Sequence, residues 1–117
     1  MRRDYRVFLK DALEHIQRIR LFTNQMDKNA FLADEKTQFA VVRCLEIIGE
    51  AVVKVPIDVQ EKYPDIPWAD MRNFRIIAAH QYWKIDLDIV WNIVQDHLHN
   101  LENQLHHALR EDPDLIP

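Results

Sequence analysis

The amino-acid sequence predicts an all-α fold, an up-and-down bundle of four main helices plus a short one, on three observations. Apolar residues recur at three- and four-residue steps over most of the 117 positions, the period of a buried helix face. Only one glycine is present, Gly49, so the φ > 0 positions of tight two-residue hairpins are scarcely available. The periodic stretches are separated by short connections, which favour antiparallel helical neighbours. Hydrophobic residues at 48% and charged residues at 29% match one folded domain rather than a disordered chain.

Tyr5, Phe8, Leu9, Ala12, Leu13, Ile16, Ile19 and Phe22 form the stripe of a first helix over about residues 4–25. The segment TNQMDKNAFLAD interrupts it with turn-forming Asn and Asp. Asp34 is placed to cap a second long helix, about 35–54, which is apolar around much of its circumference and is therefore expected at the centre. Gly49 in its middle costs about 1 kcal/mol relative to alanine, and close approach of another helix is the compensating reason expected. Pro56 opens a short helix, IDVQEKY, that Pro64 stops. Pro67 opens a fourth helix running to about 81. Asp86 caps a last one whose aliphatic seam, from Leu87 to Leu109, continues to about 110. Residues 111–117, EDPDLIP, read as a flexible acidic tail after a domain spanning 1–110.

The composition excludes several classes of chemistry. A single cysteine, Cys44, rules out an internal disulfide framework and a multi-cysteine zinc site. The lone glycine argues against phosphate loops and dinucleotide fingerprints. No apolar run approaches the ~20 residues of a membrane span, and the charged N-terminus does not read as a signal peptide, so a cytoplasmic location away from membranes is expected. Net charge is −4, yet residues 1–20 carry six basic against three acidic side chains, leaving −7 for the remainder. An acidic total argues against non-specific duplex binding, and the basic start reads first as a solvated helix face.

The stretch Trp68–Asp86 is the most informative. It sets Arg75 and His80 with four residues between them, and Tyr82 follows after one more. Histidine titrates near neutrality and can move a ribose 2′-OH proton, while a guanidinium can hold a scissile phosphate and offset developing charge. Neither a metal nor a cofactor is needed. On an ideal helix, residues five apart lie about 140° from one another and do not share a face. The pair therefore requires either a helix that ends before His80 or a second copy of the chain, as in a symmetric dimer.

The chain resembles the HepT-like toxins of the HEPN superfamily along almost its whole length. The landmarks are RDYRVFLKDALEHIQRI, FLADEKTQFAVVRCLEIIGEA, YPDIPW, the spacing Arg75–His80–Tyr82, and IDLDIVWNIVQDHL. The resemblance implies a helical homodimer and a metal-independent endoribonuclease toxin of a type II or type VII-like toxin–antitoxin pair. Its composite site would join the arginine and histidine of both chains. It also implies an antitoxin partner, a nucleotidyltransferase of the MNT type, that silences the toxin by moving AMP from ATP to the motif tyrosine. On this chain Arg75 then holds phosphate, His80 is the acid–base residue, and Tyr82 is the AMP acceptor. One position departs from the pattern: the residue after the motif arginine is usually polar, most often Asn, and here it is Ile76, which implies weakened cleavage.

Other residues have two readings. Glu46 and Glu50 lie one turn apart on the second helix, where paired carboxylates suggest acid–base or metal roles; burial beside arginine is the plainer reading, with Glu50 orienting Arg75 or a partner chain's arginine. Arg72 is a surface residue or a helper charge near RNA. Trp68, Trp83 and Trp91 are core or interface anchors first and stacking platforms second, with Trp83 the best platform because it flanks the motif. His97, His99, His106 and His107 contain no i, i+4 histidine pair and read as a solvated face, so no metal is expected. The competing functional class is a non-catalytic helical docking partner of the nucleotidyltransferase, with Ile76 marking lost cleavage.

Overall fold

The computed structural model describes residues 4–80 and 82–111, and of Tyr82 the backbone alone. Its helices are α1 (Arg6–Phe22), α2 (Lys28–Leu32), α3 (Glu35–Val53), α4 (Ile57–Lys62), α5 (Trp68–Ala79), α6 (Leu87–Asp96) and α7 (Leu98–Glu111). A 3-10 turn, Tyr82–Lys84, links α5 to α6. No strand occurs among the described residues, and no helix among them is long and apolar enough to cross a membrane. Of the expected tail, Glu111 closes α7 and 112–117 lie outside the described residues.

The long amphipathic helix α3 is the centre of the bundle, packed between α1 and α5, with α7 against the other side of α1. Its start is fixed as expected. Asp34 is extended, and its carboxylate accepts from the Thr37 amide at 3.1 Å and the Thr37 hydroxyl at 2.9 Å. From there Val41, Leu45, Ile48 and Val52 run down a face with no solvent exposure, meeting Leu9, Ile16 and Ile19 of α1 and Met71 of α5 in one core. Burial pushes the Cys44 thiol on this helix above its ordinary range, which keeps it protonated and unreactive. An ion pair between Arg20 and Glu102 joins α1 to α7.

The α3–α5 crossing is tight at Gly49. A β-carbon built there would sit 2.8 Å from the Arg75 backbone nitrogen and 3.1 Å from the Arg72 carbonyl oxygen. The glycine inside the helix is thus the residue that lets α5 approach, as anticipated.

Two elements differ from the sequence expectation. The segment after α1 is not a plain loop, since α2 lies within it. Gln25 takes φ 64°, the left-handed conformation that a glycine usually supplies, and Asp27 then caps α2 through the Ala30 amide at 2.8 Å. Five residues are too few for a helix to persist unaided. Phe31 anchors it by complete burial, 5.2 Å from the Trp91 ring, a contribution of roughly 1.5–3 kcal/mol. The buried Gln38 amide adds hydrogen bonds to the carbonyls of Phe31 and Leu32 at 2.9 and 3.0 Å. The second difference is that the expected single last helix is divided at His97 (φ −118°) into α6 and α7. The break lets α6 face α2 through Trp91 while α7 lies along α1. Asp86 caps α6 as expected, accepting from Asp88 and Ile89 amides at 3.0 and 3.3 Å.

Gly49→Ala gains about 1 kcal/mol of helix propensity but loses about 1–3 kcal/mol to overpacking. The obstructing atoms are α5 backbone, which cannot swing aside, so the steric loss wins. The variant is expected to unfold at a lower denaturant midpoint, with a net loss of up to about 2 kcal/mol. Hydrogen bonds from the Thr37 amide and then its hydroxyl hold the Asp34 carboxyl below its usual range. Its stabilisation is complete above the unfolded-state value and is lost as pH falls through the lowered folded value. Asp34→Ala is therefore expected to be less stable than the wild type at neutral pH, with the difference closing in acid, as followed by denaturation against pH.

Candidate active site

Pro67 opens α5, and Trp68 fixes its first turn by donating its indole N–H to the carbonyls of Tyr63 and Gln60 at 2.9 and 3.1 Å. Arg72, one turn further, donates to Gln60 Oε1 at 3.0 Å and ties α5 to α4. That contact makes Arg72 a half-buried bracing residue in the single chain. Met71 and Phe74 are buried, which leaves Arg75 exposed on the flank nearest α3, beside Gly49.

Helix α5 ends at Ala79. His80 is extended (φ −75°, ψ 151°), and its amide makes only a weak 3.4 Å bond to the Ile77 carbonyl. Of the two routes considered for pairing Arg75 with His80, the helix termination is therefore present. His80 is exposed and lines a cleft of about 370 Å³ with Asn73, Ile76, Lys84 and Ile89, between the end of α5 and the start of α6. Arg75 does not line this cleft. Within one chain the structure gives each residue to solvent without placing both in that space.

Beside the polar groups of this cleft, and at Trp83 in the turn that follows His80, large apolar side chains are exposed. Ile76 is 51% exposed, Ile89 52% and Trp83 75%, large values for such side chains. Trp83 is thus free of the core, whereas Trp68 and Trp91 are core anchors. Tyr82 lies in the 3-10 turn two residues beyond His80, and its side chain is outside the described residues.

Glu50 is exposed and lines a groove between α1 and α3 with Lys10 and Lys54. No ion pair joins it to Arg75 among the described residues, so an orienting role within one chain has no contact behind it. Glu46 is engaged elsewhere, accepting from Arg43 at 2.6 Å. Asp11, Glu14 and His15 bring three potential ligand atoms within 4.8 Å of one another on α1. Those groups are already occupied: His15 Nδ1 bonds the Asp11 carbonyl at 2.8 Å, and Arg18 reaches both His15 Nε2 and Glu14 Oε1, at 3.2 and 2.8 Å. A guanidinium in that position repels a cation. Sequence reasoning overlooked Lys84, the cation that shares the His80 cleft. Its signal was its place at the end of a turn just before the Asp86 cap of α6.

The family described as Ribonuclease HepT-like matches residues 12–108. A Methanocaldococcus jannaschii protein named as a candidate RNase is 41% identical over 110 residues, covering 94% of this chain and 91% of that protein. A Thermococcus cleftensis protein named "Probable ribonuclease HepT" is 38% identical over 104 residues, covering 89% of this chain and 94% of that protein. No solved structure matches the chain. With the match running from α1 into α7, and relatives aligned over nearly their full lengths, the chain belongs to the HepT-like ribonuclease family of the HEPN superfamily.

Proposed function

We propose that the chain is a metal-independent endoribonuclease toxin of a cytoplasmic toxin–antitoxin pair, acting on RNA as a homodimer. The observation that carries this reading is the end of α5 at Ala79, which presents His80 extended and exposed just beyond the helix that exposes Arg75. In the proposed reaction His80 removes the 2′-OH proton, the 2′-oxygen attacks the adjacent phosphorus, and the bond to the 5′-oxygen breaks. The products are a 2′,3′-cyclic phosphate and a 5′-hydroxyl end, the latter receiving its proton from an imidazolium. Arg75 neutralises the non-bridging oxygens as charge develops. Two protomers would bring both pairs of side chains to one pocket, and the apolar rim of Ile76, Trp83 and Ile89 supports a second copy seated there. Glu50 would then be available to an arginine of that copy.

Silencing by a nucleotidyltransferase of the MNT type belongs to the same reading. Transfer of AMP from ATP to the Tyr82 hydroxyl, with release of pyrophosphate, places anionic phosphate two residues from His80 and repels the substrate phosphodiester. The alternative, a docking subunit without cleavage, draws on Ile76, whose apolar side chain stands in the His80 cleft where a polar one would assist.

Purified, unmodified protein is expected to cleave RNA in the presence of a chelator and to spare an all-deoxy analogue, because the nucleophile is the ribose hydroxyl. His80→Ala and Arg75→Ala are each expected to lower the cleavage rate by about 10²-fold or more, with helicity by circular dichroism unchanged. Inert wild type of verified unmodified mass would hand the function to the docking alternative. Ile89→Asp, which leaves both site residues in place, is expected to weaken self-association by roughly tenfold or more and to reduce cleavage in parallel. Sedimentation and a cleavage assay across protein concentration check it; a fully active monomer would remove the composite site.

A further inference from the structure

A second cleft, of about 380 Å³, opens between α5 and the α6–α7 junction. It shares Asn73 and Ile77 with the His80 cleft, so the two are adjoining compartments of one trough along α5. Its floor is apolar, built from Phe74, Ile77, Ile93 and Leu101, flat-ring territory at the small end of the range for small-molecule sites. Its walls are polar in an uneven way. Asp65 and Asp70 offer only acceptors, while Asn73 and Asn100 offer both donors and acceptors. Gln104 completes the wall: its Nε2 donates to the Asp65 carbonyl at 2.8 Å, and its Oε1 is the one buried side-chain polar atom with no partner among the described residues. An orphaned buried acceptor is expensive, and it belongs to a residue that lines both this cleft and a neighbouring one with Tyr63, Asn103 and His107.

We propose that this cleft is a nucleobase subsite selecting guanine, one nucleotide from the bond cut at His80. The inference rests on the ribonuclease reading and names the base that site prefers. A carboxylate meets two adjacent N–H donors on the Watson–Crick edge of guanine, at N1 and N2, whereas adenine, cytosine and uracil each place an acceptor beside their single donor group. The amides of Asn73 and Asn100 suit the guanine O6, and the ring rests on Phe74 and Ile77. Charge divides in the same sense. Asp65 and Asp70, with His97 beside them, accept a neutral, donor-rich base, while Lys84 and His80 in the adjoining cleft, which Asp86 also lines, and Arg75 on the flank of α5 take the phosphodiester.

The test titrates the full-length His80→Ala protein with guanosine, inosine, adenosine and cytidine by calorimetry or amide chemical shifts. Guanosine is expected to bind, and inosine, which lacks the N2 amino group, to bind about tenfold more weakly. Asp70→Asn, a change at an exposed side chain, is expected to weaken guanosine by about tenfold or more, while Asp96→Asn, on α6 and outside the cleft, leaves it unchanged. In parallel, end mapping on an RNA of mixed sequence is expected to show wild-type cuts clustered beside G, and Asp70→Asn to even them out. Guanosine binding without any RNA cleavage would keep the subsite and overturn the nuclease. Cleavage that depends on His80 but ignores sequence, with no nucleoside preferred, would overturn the subsite and keep the nuclease. Equal binding of all four nucleosides, or binding only of an arginine-rich peptide in competition with none of them, would overturn it as well.

Discussion

At Gly49 the backbone amide of Arg75 stands where a methyl group would otherwise be, so at this point α5 rests on the α3 backbone itself. Direct backbone contact of this kind sets the height and rotation of α5 on the bundle more firmly than interlocking side chains, because there is no rotamer to relax. The rotation in turn buries Met71 and Phe74, turns Arg75 out beside α3, and directs Asp70, Asn73 and Ile77 toward α6 and α7. Arg72, held by Gln60, adds a side-chain tie from α5 to α4. The positions of Asp70, Asn73 and Arg75, the α5 groups proposed for RNA, therefore follow from a residue that has no side chain of its own.

Much of the scaffold was legible because its signals are local. Asp34 and Asp86 announce helix starts through short-range hydrogen bonds to the next turn, Pro67 announces α5, and the apolar period of α3 announces burial on more than one side. Gly49 was readable as a close approach, though only coordinates identify the opposing atoms as those of Arg72 and Arg75. What escaped notice depends on distant partners. Helix α2 is held by Phe31 against Trp91 and by Gln38 reaching back seven residues, and Gln25 adopts a conformation its residue type does not advertise. The break at His97 has no proline or glycine to mark it and arises because α6 and α7 pack on different neighbours.

The candidate site divides in the same way. The family resemblance, rather than spacing alone, pointed to Arg75 and His80, and the helix stop at Ala79 answers half of the geometric difficulty that their separation raised. In the proposed homodimer the other half would be intermolecular, and a single sequence carries no explicit record of which copy would supply which group. Exposed Trp83, Ile76 and Ile89 are its nearest trace, apolar side chains left in water around a polar motif. Glu50, read as buried because its helix is apolar, lies instead on the narrow solvent-facing strip of α3, a distinction of a few tens of degrees that composition does not resolve.

Cys44, the only thiol in the chain, is sealed in the core and held protonated. Its sulfur reaches a solution reagent only when α3 parts from its neighbours, so the labelling rate is a built-in gauge of large-scale opening that needs no engineered probe. Because α3 also carries Gly49, the same sulfur reports on the platform beneath α5.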